Sequence, residues 1–109
     1  MGAHVEMVMP GLLKVLIEGA RDLENLVTAG EQEPFYTLEC GGQRCRSKPA
    51  RGAGTAPVWN TAHKFGLTDE VAMRAVIKDE VTKAVIGEAI IDLSRWAWGG
   101  RAATRRRRR

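Results

Sequence analysis

The chain has 109 residues, is 44% hydrophobic, and carries 17 Lys and Arg against 13 Asp and Glu, a formal charge of +4. That length suits one domain, and that apolar content builds a core, which excludes a wholly disordered chain. The charge is unevenly placed: Arg101 and the run 105–109 hold six of the basic residues. Residues 1–100 keep 11 bases against 13 acids, a formal −2, so the body is mildly acidic and the tail sets the sign.

No apolar run approaches the roughly 20 residues of a transmembrane helix. The N-terminus lacks the basic start and long apolar run of a secretory signal, and Glu6 stands where a myristoylation motif wants Ser or Thr. Cys40 and Cys45, the two cysteines, make no disulfide framework. The expectation is a cytoplasmic protein with reduced thiols.

The first element is residues 12–18, an apolar stretch with partial alternation that reads as a buried strand limited by Gly11 and Gly19. Residues 24–34 hold Asn25, Gly30 and Pro34 among several acids and read as a surface loop. Residues 35–40 alternate, with Tyr36, Leu38 and Cys40 on one face. Gly41-Gly42 suits a two-residue hairpin turn. That register sets Glu39 opposite Arg44, puts Arg44, Arg46 and Lys48 on one face, and leaves Cys40 and Cys45 diagonal, at or beyond disulfide reach. Residues 47–57 form a second loop, and residues 58–65 a strand that ends at a turn near residues 66–69.

Residues 71–78 are ambiguous. Val71, Met73, Ala75 and Ile77 alternate as in a strand, yet the surrounding Ala, Glu, Lys and Met favour helix. Residues 85–93 read as another strand, and Trp96 and Trp98 as a short last one. Six or seven short strands between turn-rich loops predict an antiparallel β-sandwich.

The order of landmarks resembles a C2 domain over about residues 11–93. Gly11-Leu12-Leu13-Lys14-Val15-Leu16-Ile17 with Ala20-Arg21-Asp22-Leu23 resembles that family's opening strand. Glu33-Pro34-Phe35-Tyr36 is similar to its D-P-Y, and Gly42-Gln43-Arg44-Cys45-Arg46-Ser47 to its G-x-K-x-K-T. Ala56-Pro57-Val58-Trp59-Asn60 with Phe65 resembles N-P-x-W-N-E and F-x-F, the most specific piece. Val76-Ile77-Lys78-Asp79, Ile86-Gly87 and Ile91-Asp92-Leu93 resemble the closing segments. The resemblance implies an all-β, antiparallel, eight-stranded or clipped C2-type sandwich over residues 1–100, with 101–109 a disordered arginine-rich tail. It also makes residues 71–78 a strand. Beyond Leu93 the family has more sheet; here either residues 96–98 supply a clipped strand or residues 4–9 supply an N-terminal one.

Many C2 domains bind calcium through loop aspartates, and Ca²⁺ takes six to eight oxygens. At the positions the resemblance marks, this chain has Glu33 and Asp79, but Val27, Val81 and about Ala84 at the others. Two residual acids do not make a calcium site, so no metal and no cofactor are expected. Glu31, Glu33, Asp79 and Glu80 then read as solvated loop acids.

No acid lies between residues 40 and 65, and Arg44, Arg46, Lys48 and Arg51 fall in that span with His63 and Lys64. In C2 domains the corresponding strand often carries a lysine-rich cluster that receives anionic headgroups. The expected binding residues are therefore Arg44, Arg46, Lys48, Arg51 and Lys64, and the partner an anionic phospholipid. The alternative is an acidic protein partner, with the domain a scaffold or cytoskeletal module, and an open sheet edge offers self-association.

His4 and His63 have no motif-spaced nucleophile, and Cys40, Cys45 and His63 lack zinc-site spacing and a fourth ligand. Without a phosphate-cradling Gly-x-x-x-x-Gly-Lys, no enzyme and no small-molecule substrate are expected. The arginine run is too unspecific to argue for nucleic acid. The expected location is cytoplasmic, peripheral to membrane or cytoskeleton.

Overall fold

The computed structural model describes residues 1–28 and 30–96. Trp98 and the arginine-rich tail lie outside the described residues. Among the described residues, seven strands run in chain order: β1 (Gly2–Met9), β2 (Leu12–Gly19), β3 (Pro34–Cys40), β4 (Gln43–Arg46), β5 (Val58–Gly66), β6 (Ala72–Asp79) and β7 (Val85–Asp92). They form a three-stranded sheet ordered β1-β2-β5 and a four-stranded sheet ordered β4-β3-β6-β7. Every pairing is antiparallel. The expected all-β sandwich is what the chain forms.

Alternation explains the layers. Leu13, Val15 and Ile17 of β2 are fully buried, while Lys14 and Glu18 are exposed. Tyr36, Leu38 and Cys40 of β3 and Met73, Ala75 and Ile77 of β6 meet them from the other sheet. The core is thus built from the inward faces of the central strands. Residues 71–78 hold strand rather than helix because Met73, Ala75 and Ile77 are buried at every second position. A helix would bring only part of that set to the core, so burial overrides local propensity.

The additional strand comes from the N-terminus: β1 pairs along β2, with Val5 opposite Val15 and Met7 opposite Leu13. Trp96 falls in a short 3-10 turn at Ser94–Trp96 instead of a last strand.

Tyr36 ties the two sheets together at one side. Its hydroxyl lies 2.7 Å from His63 Nε2 and its ring packs edge-on to Trp59 with centroids 4.9 Å apart. Burial, then the neighbouring Cys45, pushes the phenol up to about 12, and burial lowers His63. The phenol therefore donates to a neutral imidazole. Trp59 Nε1–H donates across the sheets to the Pro34 carbonyl at 3.2 Å.

The β3–β4 hairpin keeps the expected register, with Glu39 opposite Arg44. Gly41 takes φ 59, and an added Cβ would sit 2.6 Å from Glu70 Oε2; at Gly42 an added Cβ meets nothing within 4 Å. Gly41→Ala is expected to destabilise the fold by about 1–2 kcal/mol in urea denaturation, since the left-handed backbone is strained for an L side chain. Gly42→Ala is expected to stay within about 0.5 kcal/mol of wild type.

Candidate functional site

Two regions carry polar side chains in arrangements that do more than face solvent. One is the outer face of the four-stranded sheet. The other is the loop end where residues 20–33, 47–57 and 80–84 meet.

On the sheet face, register decides who meets whom. Arg44 of β4 lies opposite Glu39 of β3, which lies opposite Arg74 of β6. The next row holds Arg46, Thr37, Val76 and Glu88, and the third holds Phe35, Lys78 and Val85. Thr37, Glu39, Arg44, Arg74, Val76, Lys78 and Val85 line a hollow of about 240 Å³. Most of its cations are held by acids. Arg44 Nη2 is 2.9 Å from Glu39 Oε2, and Arg74 Nη2 is 3.2 Å from Glu88 Oε1. Arg46 Nη2 reaches Glu80 Oε1 at 3.0 Å while its guanidinium carbon sits 4.1 Å from the Phe35 ring centroid. Lys83 shares Glu80 at 3.3 Å. That hydrogen bond, with the charges of Lys83 and Arg46, holds Glu80 below the usual carboxylate range. Lys78 and Lys48 have no acidic partner among the described residues.

The five expected binding residues are not brought together. Arg44 and Arg46 share the sheet face. Lys48 does not, because β4 ends at Arg46. It lines a cleft between the sheet edges with Ser47, Val58, Trp59 and Thr61, and of the other expected residues only Arg46 reaches that cleft. Arg51 lies at the loop end, 3.0 Å from Glu33 Oε1. Lys64 is on the outer face of the other sheet, opposite Lys14, because the chain crosses between sheets from β4 to β5. In place of Lys64, β6 supplies Arg74 and Lys78. Their signal is present in the alternation: if Met73, Ala75 and Ile77 face inward, Arg74, Val76 and Lys78 must face out.

The loop end is organised by two polar side chains that are completely buried. Gln32 Nε2–H donates to the carbonyls of Glu24 at 2.8 Å and Gly54 at 3.0 Å, and its Oε1 accepts from Leu26 N–H at 3.1 Å. Asp79 Oδ1 accepts from Glu33 N–H at 2.7 Å, and Oδ2 from Thr82 N–H at 2.8 Å and Thr82 Oγ1 at 3.0 Å. Burial alone would raise the Asp79 carboxyl, but these donors outweigh it and hold it below its ordinary value. Asp79 is therefore an internal clamp rather than the solvated acid that its loop position suggests. No buried side-chain polar atom is without a partner among the described residues. Leu26, Val27 and Val81 sit at the rim of this end around a hollow of about 240 Å³, with Val81 73% exposed.

Among the described residues, no group of three or more His, Cys, Asp or Glu could hold a metal ion. Glu33 faces Arg51, Glu80 faces Arg46 and Lys83, and both Asp79 oxygens are taken. These residues do not fit a calcium ion. Cys40 and Cys45 are free, as their diagonal placement predicts, and burial pushes both thiols up.

Comparison with known proteins agrees with this geometry. A family model described as C2 domain matches residues 11–107. Elicitor-responsive protein 3 of Oryza sativa subsp. japonica is 33% identical over 90 residues, covering 79% of this chain and 62% of the relative. The 16 kDa phloem protein 2 of Arabidopsis thaliana is 33% identical over 87 residues, covering 76% of this chain and 59% of the relative. The chain thus spans about three fifths of these relatives' length. Among solved structures, a C2 domain of RIM from Drosophila superposes with a TM-score of 0.73 at 16% identity, covering 90% of this chain and 88% of that one. A C2 domain-containing protein from a putative elicitor-responsive gene gives 0.66 at 30% identity, covering 78% and 65%. With the sandwich, the strand order of landmarks and these matches in agreement, the chain belongs to the C2 domain family.

Proposed function

We propose that this domain is a binding module, not an enzyme, that docks to anionic phospholipid without calcium. The observation that carries the calcium independence is the loop clamp. In a calcium site, loop acids need the ion to hold them together against their own repulsion. Here Gln32 and Asp79 already join the loops through six hydrogen bonds, and Glu33 and Glu80 face cations of the same chain. The loop end is preorganised by protein groups alone.

The sheet face supports the lipid reading. Arg44, Arg46, Arg74, Lys78 and Lys83 outnumber Glu39, Glu80 and Glu88 there. A basic residue near an anionic leaflet contributes about 1 kcal/mol. The excess is small, so docking is weak, reversible and screened by salt. The exposed Val81 and half-buried Val27 at the loop rim add apolar area next to this face. No described helix is long and apolar enough to cross a membrane, so attachment on this reading is peripheral.

Co-sedimentation with phosphatidylcholine vesicles, with and without phosphatidylserine, tests this. Wild type is expected to bind only the anionic vesicles, equally in calcium and in chelator, and to dissociate as salt rises. Arg74→Glu with Lys78→Glu is expected to weaken binding by at least about fivefold, from the loss of the one unpaired attraction of that size, with the two added acids weakening it further. Lack of wild-type binding to anionic vesicles, or binding only with calcium, overturns the proposal.

The clamp itself has a pH signature. A carboxyl held below its ordinary value stabilises the fold fully above that value, about 3.9, and the contribution is lost as pH falls through the folded-state value. Asp79→Asn is expected to cost about 1.5–3 kcal/mol at neutral pH. The gap between wild type and variant should narrow below about pH 4 in denaturation measured across pH. Calcium is expected to leave the melting temperature of both unchanged.

A further inference from the structure

The sandwich is built three strands over four, and the shortfall is at one side. Tyr36, Trp59 and His63 place β5 against β3, and the Gln43 amide on the Gly66 backbone places it against β4, so the order of the sheets sets β1 toward β6 and β7. On that side the inward residues are incompletely covered. Ala3, Val5 and Met7 of β1 and Ala89 and Ile91 of β7 are only partly buried against the core. The outer backbone edge of β1 pairs with no strand among the described residues.

The other sheet edges carry devices that discourage pairing; the β1–β2 ladder is shifted too, between Gly2 and Ala3 and between Met7 and Met9, but residues 3–7 between those shifts keep a regular edge. The β4 edge is four residues long with two exposed arginines. The β5 edge is kinked by Asn60 at φ 46 and a register shift near Gly19. The β6–β7 ladder is shifted between Ile77 and Lys78 next to Gly87. The β1 edge is eight residues long and has neither proline nor an inward-facing charge. Such an edge is a template for another strand.

We infer that the β1 edge is a self-association site, where two copies pair β1 to β1 antiparallel about a two-fold axis through Val5. Pattern and charge select that register. An antiparallel self-pair keeps inward residues opposite inward residues only if its axis lies on a residue position. An axis through Glu6 opposes two Glu6 carboxylates, and an axis through His4 stacks two imidazoles. An axis through Val5 sets Val5 against Val5, Ala3 against Met7, and His4 against Glu6 in both directions. His4 Nε2 already lies 2.9 Å from Glu18 on the same exposed face, so in the pair it is flanked by two acids. Ala3, Val5 and Met7 of each copy then cover those of the other, and the two three-stranded sheets become one six-stranded sheet. A single edge buries too little area for a tight complex, so association in the micromolar to millimolar range is expected. Self-pairing at this edge is separate from lipid binding and needs no vesicle.

Sedimentation of the full chain over a concentration series should show a monomer–dimer equilibrium. Glu6→Lys, at an exposed position on β1, is expected to weaken dimerisation by about tenfold. Adding His4→Glu to Glu6→Lys sets opposite charges against each other across the pair and should recover most of it. With His4→Cys and Glu6→Cys in one chain, mild oxidation should join residue 4 of one copy to residue 6 of the other, as directly opposed positions fall within disulfide reach. A chain that stays monomeric at the highest concentrations, a dimer indifferent to Glu6→Lys, or cross-links in another register overturns the inference. So does protection of β1 amides from hydrogen exchange that is independent of concentration, since that places another segment of the same chain on the edge.

Discussion

The loop end of this domain depends on one buried carboxylate. Asp79 ends β6, and its two oxygens take the Glu33 amide from the loop before β3 and the amide and hydroxyl of Thr82 from the loop before β7. The Asp79 backbone extends the same junction, with its N–H on the Ala84 carbonyl and its carbonyl accepting from Lys83. A buried charge is tolerated only where donors replace its hydration, and here they are groups of the loops themselves. Loop geometry and charge solvation are thus one interaction: neither loop can move without leaving the carboxylate short of a donor. Gln32 does the same for the loops that hold Glu24 and Gly54. The side chains displayed at this end, Arg51, Leu26, Val27 and Val81, are carried on a frame already closed.

The fold is legible in the sequence because burial is periodic. The strands at residues 12–18, 35–40, 58–65 and 85–93 follow from alternation and glycine or proline limits, and the Glu39–Arg44 pair from the length of the Gly41-Gly42 turn. What is illegible depends on facts that are not local. Residues 71–78 need the family resemblance, because Ala, Met and Lys argue for helix until the core claims Met73, Ala75 and Ile77. Lys64 groups with Arg44 and Arg46 by closeness in sequence, yet the loop between β4 and β5 crosses from one sheet to the other. Arg74 and Lys78 escape notice for the converse reason: β6 is distant in sequence but hydrogen-bonded to β3. Gln32 has no signal of its own, since an amide becomes a clamp only when the segments it bridges are known.

Asp79 shows how a sequence misleads about a carboxylate. A family motif marks it as a residual metal-loop acid, and composition marks it as a solvated one. Both readings treat a carboxylate as either coordinating or idle. The third use, accepting main-chain N–H groups, leaves no spacing in the sequence beyond Thr82 three residues on. It is visible only in the burial, which is complete, and in the direction of the carboxyl shift.

The same distinction between a charge and its use applies to the cations. Counting Arg44, Arg46 and Arg74 as free charges overstates what the sheet face offers to an anion, because each already faces an acid at 2.9–3.2 Å. Exposed pairs of this kind are worth little by themselves, so exchanging Glu39 or Glu88 for a phosphate costs little and gains little. Lys78 is different. It sits half-buried in the hollow beside Phe35 and Val85 without an acidic partner among the described residues, where an incoming anion displaces only water. On the proposed docking face the unpaired lysine therefore contributes more attraction than any of the three arginines. Arg44 and Arg74 shape the hollow, and the acids bound to the arginines limit the field to the short range at which a headgroup is in contact.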